Sequence, residues 1–186
     1  MTVEEEILHR VARLLEALGI PYMIAGSVAS SFHGRPRTTH VADIVIDPAP
    51  DALDLFVREL AAADFYVDAT TARDALRRRR QFNAIDTASA FKLDLIIRKD
   101  RPFSLEEFGR RRRADLAEAK QVSLATAEDT ILSKLEWSKK GGGSERQLAD
   151  VRGILDVKGV ELDREYIQRW AEDLGVLDLW HQATSR

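Results

Sequence analysis

The chain has 186 residues, 45% of them hydrophobic and 32% charged, with a formal net charge of −3 and no cysteine. That composition describes a soluble globular chain long enough for one domain with a core. It excludes disulfides, thiolate catalysis and cysteine-ligated zinc, and no apolar run approaches the roughly 18 residues of a membrane span. Net negative charge argues against nucleic-acid binding by the whole surface but leaves room for a local basic patch. The N-terminus, TVEEEILHRV, is acidic and amphipathic rather than a signal peptide, so a cytoplasmic location is expected.

In chain order, Val3 to Leu18 carries apolar residues at helical spacing and ends at Gly19. Tyr22–Ala25 and Ile44–Ile46 are short apolar runs that read as strands. Between them Val28, Ala29 and Phe32 mark a short helix. Gly26-Ser27 stands where the first strand gives way to that helix. Glycine there admits a close approach to the backbone, and Ser27 is a good N-cap. Unpaired amides at the helix start suit a phosphate. Pro48 and Pro50 stop the second strand, and Asp51–Ala63 reads as a helix. Phe65–Val67 reads as an edge strand and Thr70–Arg80 as a helix ending in four arginines. Phe82–Asp86 and Phe91–Ile97 pair as a hairpin, with Asp94 on the face of Lys92 and Ile96. Ser104–Ala119 reads as a charged helix containing a second run, Arg110–Arg113, and Val122–Leu124 as a last strand. Helices are then expected over Ala127–Lys139, Glu145–Lys158, Arg164–Leu174 and Leu177–Ala183, with a Gly141–Gly143 loop between the first two.

The stretch YMIAGSVASSFHGRPRTTHVADIVID carries a resemblance to a known family. A Gly-Ser turn, a spacer of thirteen residues (28–40) and a strand with positions 41 and 43 on one face resemble the signature of DNA polymerase β-like nucleotidyltransferases. Asp94, in FKLDLII, looks like that family's third carboxylate. His33-Gly34-Arg35-Pro36-Arg37-Thr38-Thr39, Lys134 in EDTILSKLEW and Asp150 in SERQLADVRGIL resemble the single-domain branch that includes AbiEii/MenT-type toxins. The likeness runs from about Tyr22 to Leu155. It breaks at Val41, which stands where the family places its first carboxylate.

The resemblance implies an α/β (α+β) nucleotidyltransferase fold: a small mixed sheet flanked by helices (1–125), with a helical C-terminal lobe (126–186) packed on it as one unit. It implies transfer of a nucleotide from an NTP to an RNA (tRNA) or protein hydroxyl, with two Mg²⁺ ions, a toxin-like role and an antitoxin partner. Asp43 and Asp94 would be the metal carboxylates. Gly26 and Ser27 would hold the β/γ-phosphates, with Arg37 and Lys134 as phosphate contacts. Asp150 would orient Lys134 or act on the acceptor side.

Each residue also has a structural reading. Asp43 could form an ion pair with Arg35 or Arg37, and Asp94 one with Lys92 or Arg98. Lys134 could be a surface lysine and Asp150 a solvated helix acid. His33 and His40 lack a third ligand at metal spacing, so His33 is expected to support its turn. The arginine runs point around their helices, solvated and partly paired, or flank the cleft and meet an RNA backbone. Trp137, Trp170 and Trp180 are expected in the core of the helical lobe. Val41 leaves three readings: an enzyme weakened or rewired at this position, an inactive descendant that still binds nucleotide or partner, or an engineered inactivating substitution. Asp47 lies about 13 Å along the strand from Asp43, too far to substitute.

Overall fold

Alternation of apolar and polar residues decides the central strands. In the computed structural model, which describes residues 2–116 and 121–185, β2 (Val41–Ile46) and β5 (Lys92–Ile97) both alternate between half-buried and buried positions. Ala42, Ile44 and Ile46, like Leu93, Leu95 and Ile97, are at most 1% exposed. Slipping either strand by one residue would turn that apolar row outward and a carboxylate inward. At about 1.5–3 kcal/mol per buried aliphatic side chain, the register is fixed by several kcal/mol.

Around this pair runs a seven-stranded mixed sheet, built from β1 (Tyr22–Ile24), β3 (Phe65–Val67), β4 (Gln81–Asp86), β6 (Arg112–Asp115) and β7 (Gln121–Leu124) as well. Its order is β3-β4-β5-β2-β1-β7-β6. β2 pairs parallel with β5, and β1 pairs parallel with β7; the remaining pairings are antiparallel. The sheet is packed with helices α1 (Val3–Ala17), α2 (Gly26–His33), α3 (Pro50–Ala62), α4 (Ala69–Arg78) and α5 (Pro102–Arg110). A capping box between Thr2 and Glu5 starts α1. After β7 come α6 (Ala127–Lys140), α7 (Glu145–Lys158), α8 (Arg164–Asp173) and α9 (Leu177–Thr184).

Two apolar clusters result. One lies on the sheet and includes Met23, Phe56, Leu60 and Leu93. The other lies among the C-terminal helices and includes Ile131, Leu135, Val151 and Ile167, joined by Phe103 from α5. The loop after α2 meets α7 backbone to backbone. A Cβ on Gly34 would sit 2.7 Å from the Ile154 amide nitrogen, and one on Gly153 3.4 Å from that of Arg35. His33 hydrogen-bonds the Ala125 carbonyl at 2.7 Å, so it ties its turn to the end of β7.

Three expectations are corrected. Ser27 is not the N-cap of α2: that position is Ala25, which makes no side-chain cap, and the Ser27 hydroxyl is engaged elsewhere. The helix expected over Ser104–Ala119 ends at Arg110, and Arg112–Asp115 is an edge strand recruited by β7; positions 117–119 lie outside the described residues. Trp137 is not core but 57% exposed, whereas Trp180 is 4% exposed. The arginine runs are largely paired. Arg77 and Arg78 meet Asp74, Arg79 meets Asp47 and Asp100, Arg110 meets Asp129, and Arg113 meets Glu16. Among the described residues no helix is long and apolar enough to cross a membrane.

Candidate active site

Parallel pairing in register sets Asp43 beside Asp94 and Val41 beside Lys92, all on the sheet face opposite the buried apolar row. β1 delivers the chain into α2 directly above Asp43. Gly26 adopts φ +57°, and a Cβ there would fall 1.7 Å from Asp43 Oδ2. Only a glycine allows the helix to start this close to the carboxylate. Burial pushes the Asp43 carboxyl above the usual range and the neighbouring Asp94 pushes it further. Lys134, the Ser27 backbone amide and Lys92 pull the other way.

Asp94 has Lys92 Nζ 2.8 Å from its Oδ1, but the contact is not aligned as a hydrogen bond, and Oδ1 is buried with no hydrogen-bond partner. Neither arginine expected near Asp43 pairs with it. Arg35 turns to Asp156 at 2.8 Å and Arg37 to Asp150. Asp47 is held by Arg98 at 2.9 Å and by Arg79, away from the pair.

The helical hairpin α6–α7 supplies the other wall. Lys134 Nζ lies 2.8 Å from Asp150 Oδ2, with the two side chains 6% and 8% exposed. Arg37 donates from Nε and Nη2 to the two Asp150 oxygens at 2.8 and 2.9 Å, and from Nη2 to Ser27 Oγ at 2.7 Å. Burial raises the Asp150 carboxyl, but hydrogen bonds from Arg37 and Lys134 outweigh it and hold the group at about 2. Ser27, Arg37, Lys134 and Asp150 therefore form one network joining the sheet layer to the helical hairpin. Lys134 is no surface lysine, and Asp150 is not solvated. Arg37, read from sequence as a phosphate clamp, has its fork filled by Asp150 and faces a groove behind the site with Phe32 and Phe91.

Between the sheet and α5–α6 lies a cleft of about 330 Å³. Gly26, Ser27, Asp43, Asp94 and Lys134 line it. The same cleft is lined by groups that sequence reasoning did not assign to the site: Glu107, Ser133, Arg101, Glu136, Trp137 and Gln147. Arg101 forks onto Glu136 at 2.5 and 2.6 Å. Glu107 accepts from Ser133 Oγ at 3.0 Å, and burial pushes its carboxyl up to about 7. The one signal that could have found Trp137 is its spacing, since it follows Lys134 by three residues on α6.

The donor set can be tested against the two Mg²⁺ ions that the resemblance implies. Mg²⁺ takes oxygen ligands, commonly one or two carboxylates completed by phosphates and water. Asp43 and Asp94 fit one such ion, since the two carboxylates lie side by side in register, Asp43 is in no ion pair among the described residues and Asp94 Oδ1 lacks a hydrogen bond. A second ion finds Val41 and the Lys92 ammonium on its side, and those do not fit it. Among the described residues no group of three or more His, Cys, Asp or Glu could hold a metal by protein ligands alone.

Neither a protein-family model nor a protein of curated function matches the chain. Several solved structures do. The solution structure of the antibiotic-resistance factor ANT(2'')-Ia is 13% identical at a TM-score of 0.62, over 96% of this chain and 97% of that one. The crystal structure of ANT(2'')-Ia in complex with adenylyl-2''-tobramycin is 14% identical at 0.64, over 94% and 98%. An antigenic nucleotidyltransferase-like protein from Paracoccidioides brasiliensis is 18% identical at 0.60, over 98% and 92%. At these identities the likeness is one of architecture, and it covers nearly the whole of each chain: this protein has the nucleotidyltransferase fold.

Proposed function

We propose that the chain transfers a nucleoside monophosphate from an NTP to an acceptor hydroxyl. The observation that carries this reading is the Asp43–Asp94 pair, set in register beneath the start of α2 and facing Lys134 across the cleft. The amides at the start of α2 not already taken by Asp43, as that of Ser27 is, would hold phosphate oxygens. Lys134, aimed by Asp150 at 2.8 Å, would lie against the triphosphate and offset charge on the departing pyrophosphate. A divalent cation held by Asp43 and Asp94 would neutralise phosphate charge and lower the pKa of the attacking hydroxyl. In the transfer a new acceptor O–P bond forms, the bond from the α-phosphorus to pyrophosphate breaks, and the hydroxyl proton passes to Glu107, a carboxylate that lines the same cleft, or to solvent. Arg37 and Asp150 act as positioning residues.

The finer reading places the chain in the AbiEii/MenT-type branch, with an RNA or protein acceptor and an antitoxin partner. It rests on the His33–Thr39 motif and on Lys134 and Asp150. The deciding experiment incubates the protein with α-³²P-labelled NTPs and total RNA or cell protein. Label should appear on an acceptor and vanish in Asp43→Ala; equal labelling by that variant would overturn the site assignment.

One observation favours a second reading. Lys92 already sits on Asp94, and its register neighbour is Val41. On that reading the fold is kept as a nucleotide-binding or protein-interaction module without turnover. Calorimetric titration with the four NTPs, with and without Mg²⁺, distinguishes the two when set beside the labelling result.

A further inference from the structure

The two helices of the C-terminal hairpin run antiparallel through the Gly141–Ser144 loop, and their pairing has a repeat. Lys134 on α6 meets Asp150 on α7 at 2.8 Å. Trp137 follows Lys134 by three residues, and Gln147 precedes Asp150 by three. Both therefore lie on the cleft-facing stripe one turn further along, about 4.5 Å from the ion pair at 1.5 Å per residue. Both line the cleft. Trp137 is 57% exposed, unlike the other tryptophans of the hairpin's cluster, and Lys140 Nζ sits 5.5 Å from its ring centroid. Gln147 Oε1 is buried with no hydrogen-bond partner. The amide oxygen left unsatisfied is costly unless a ligand meets it, and the open indole ring beside it offers a flat apolar face.

We propose that Trp137 and Gln147 form the base subsite of the cleft and select adenine. The inference rests on the nucleotidyl-transfer reading and deepens it. With the triphosphate against Lys134, the base of the same nucleotide reaches the next rung of the hairpin. Trp137 offers a stacking face, and stacking favours the larger purine rings. The Gln147 amide presents an acceptor beside a donor, which matches the adenine edge at N6–H and N7. The corresponding guanine edge offers two acceptors, O6 and N7, and would leave Gln147 Oε1 unpaired.

The test is calorimetric titration of the full chain in Mg²⁺ with the α,β-methylene analogues of ATP and GTP and with inorganic tripolyphosphate. The ATP analogue should bind at least tenfold tighter than the GTP analogue. Trp137→Ala should weaken the ATP analogue at least tenfold while leaving tripolyphosphate within twofold, and Trp137→Phe should stay within threefold of the parent. Gln147→Ala should bring the two analogues within threefold of each other. An ATP analogue unaffected by Trp137→Ala, or tripolyphosphate weakened by the same factor, overturns the base subsite while the transfer reading stands. If neither analogue nor tripolyphosphate binds the parent chain, the transfer reading fails first and takes this one with it.

Discussion

Gly26 and Asp43 occupy almost the same space: a Cβ on the glycine would lie 1.7 Å from the carboxylate oxygen Oδ2. Gly26→Ala therefore meets both a left-handed backbone, worth about 1–2 kcal/mol for an L-residue, and a clash that only a shift of α2 or Asp43 relieves. We expect a loss of about 2–4 kcal/mol in denaturant unfolding. Labelled-nucleotide transfer should fall at least a hundredfold. A variant with parent-like stability and transfer would show that Asp43 does not need this approach.

Asp150 tests the network behind the cleft. Asp150→Asn leaves Lys134 buried without its carboxylate, and breaking such a pair from one side costs about 3–5 kcal/mol. Adding Lys134→Met removes the stranded charge and should recover a large part of that loss. The Asp150 carboxyl is depressed from 3.8 to about 2 in the folded chain, so its stabilisation is present above pH 4 and is lost as pH falls towards 2. Chemical denaturation across that window should show a smaller loss in Asp150→Asn than in the parent chain, the remainder coming from Glu136, which is also depressed to about 2.

Val41→Asp would place a carboxylate next to Lys92, its register partner. That acid competes with Asp94 for the ammonium and adds a third oxygen donor to the pair. Transfer should rise at least tenfold, about 1.4 kcal/mol in the barrier. No rise in Val41→Asp, with Asp43→Ala also silent, would favour the module without turnover.

Glu107 makes a prediction of opposite sign to Asp150. Its folded-state pKa of about 7 stands above the ordinary 4.5, so the folded chain keeps a proton that the unfolded chain has already released. Stability should therefore decline as pH rises from about 4.5 to 7 and level off beyond. Glu107→Gln removes the Glu107 share of that decline and leaves the share of Asp43, whose carboxyl is also raised. The variant's unfolding free energy should match the parent near pH 4.5 and exceed it at pH 8 by at most about 3–4 kcal/mol. A matching loss of transfer in the same variant would place Glu107 on the proton path, whereas unchanged transfer would leave it structural.

The sequence was most informative where local chemistry and long-range packing agree. Alternation in VADIVI and KLDLII sets three apolar residues against one carboxylate in each strand, so the face carrying Asp43 and Asp94 was legible before any pairing was known. The strand Arg112–Asp115 was not legible, because RRAD has no apolar alternation and extends only by pairing with β7. Arg37 was read as reaching for phosphate because its partner lies 113 residues away, and no spacing rule connects them. Trp137 shows a further limit. Helical periodicity places it on the stripe of Lys134, but not whether that stripe faces apolar neighbours or an open cleft at that turn.

The glycine crossing between residues 34 and 153 has a consequence far from any phosphate. A methyl group at Gly34 would press on the α7 backbone at 2.7 Å and wedge the turn after α2 away from it, whereas one at Gly153 would make only ordinary contact at 3.4 Å. The Arg37 fork spans the same gap, so it would have to stretch or let go of one partner. The spacing of α2 and α7 behind the cleft is thus gauged by one hydrogen atom on its outer side, and a change at Gly34 would shift the cleft wall without altering a single residue that lines it.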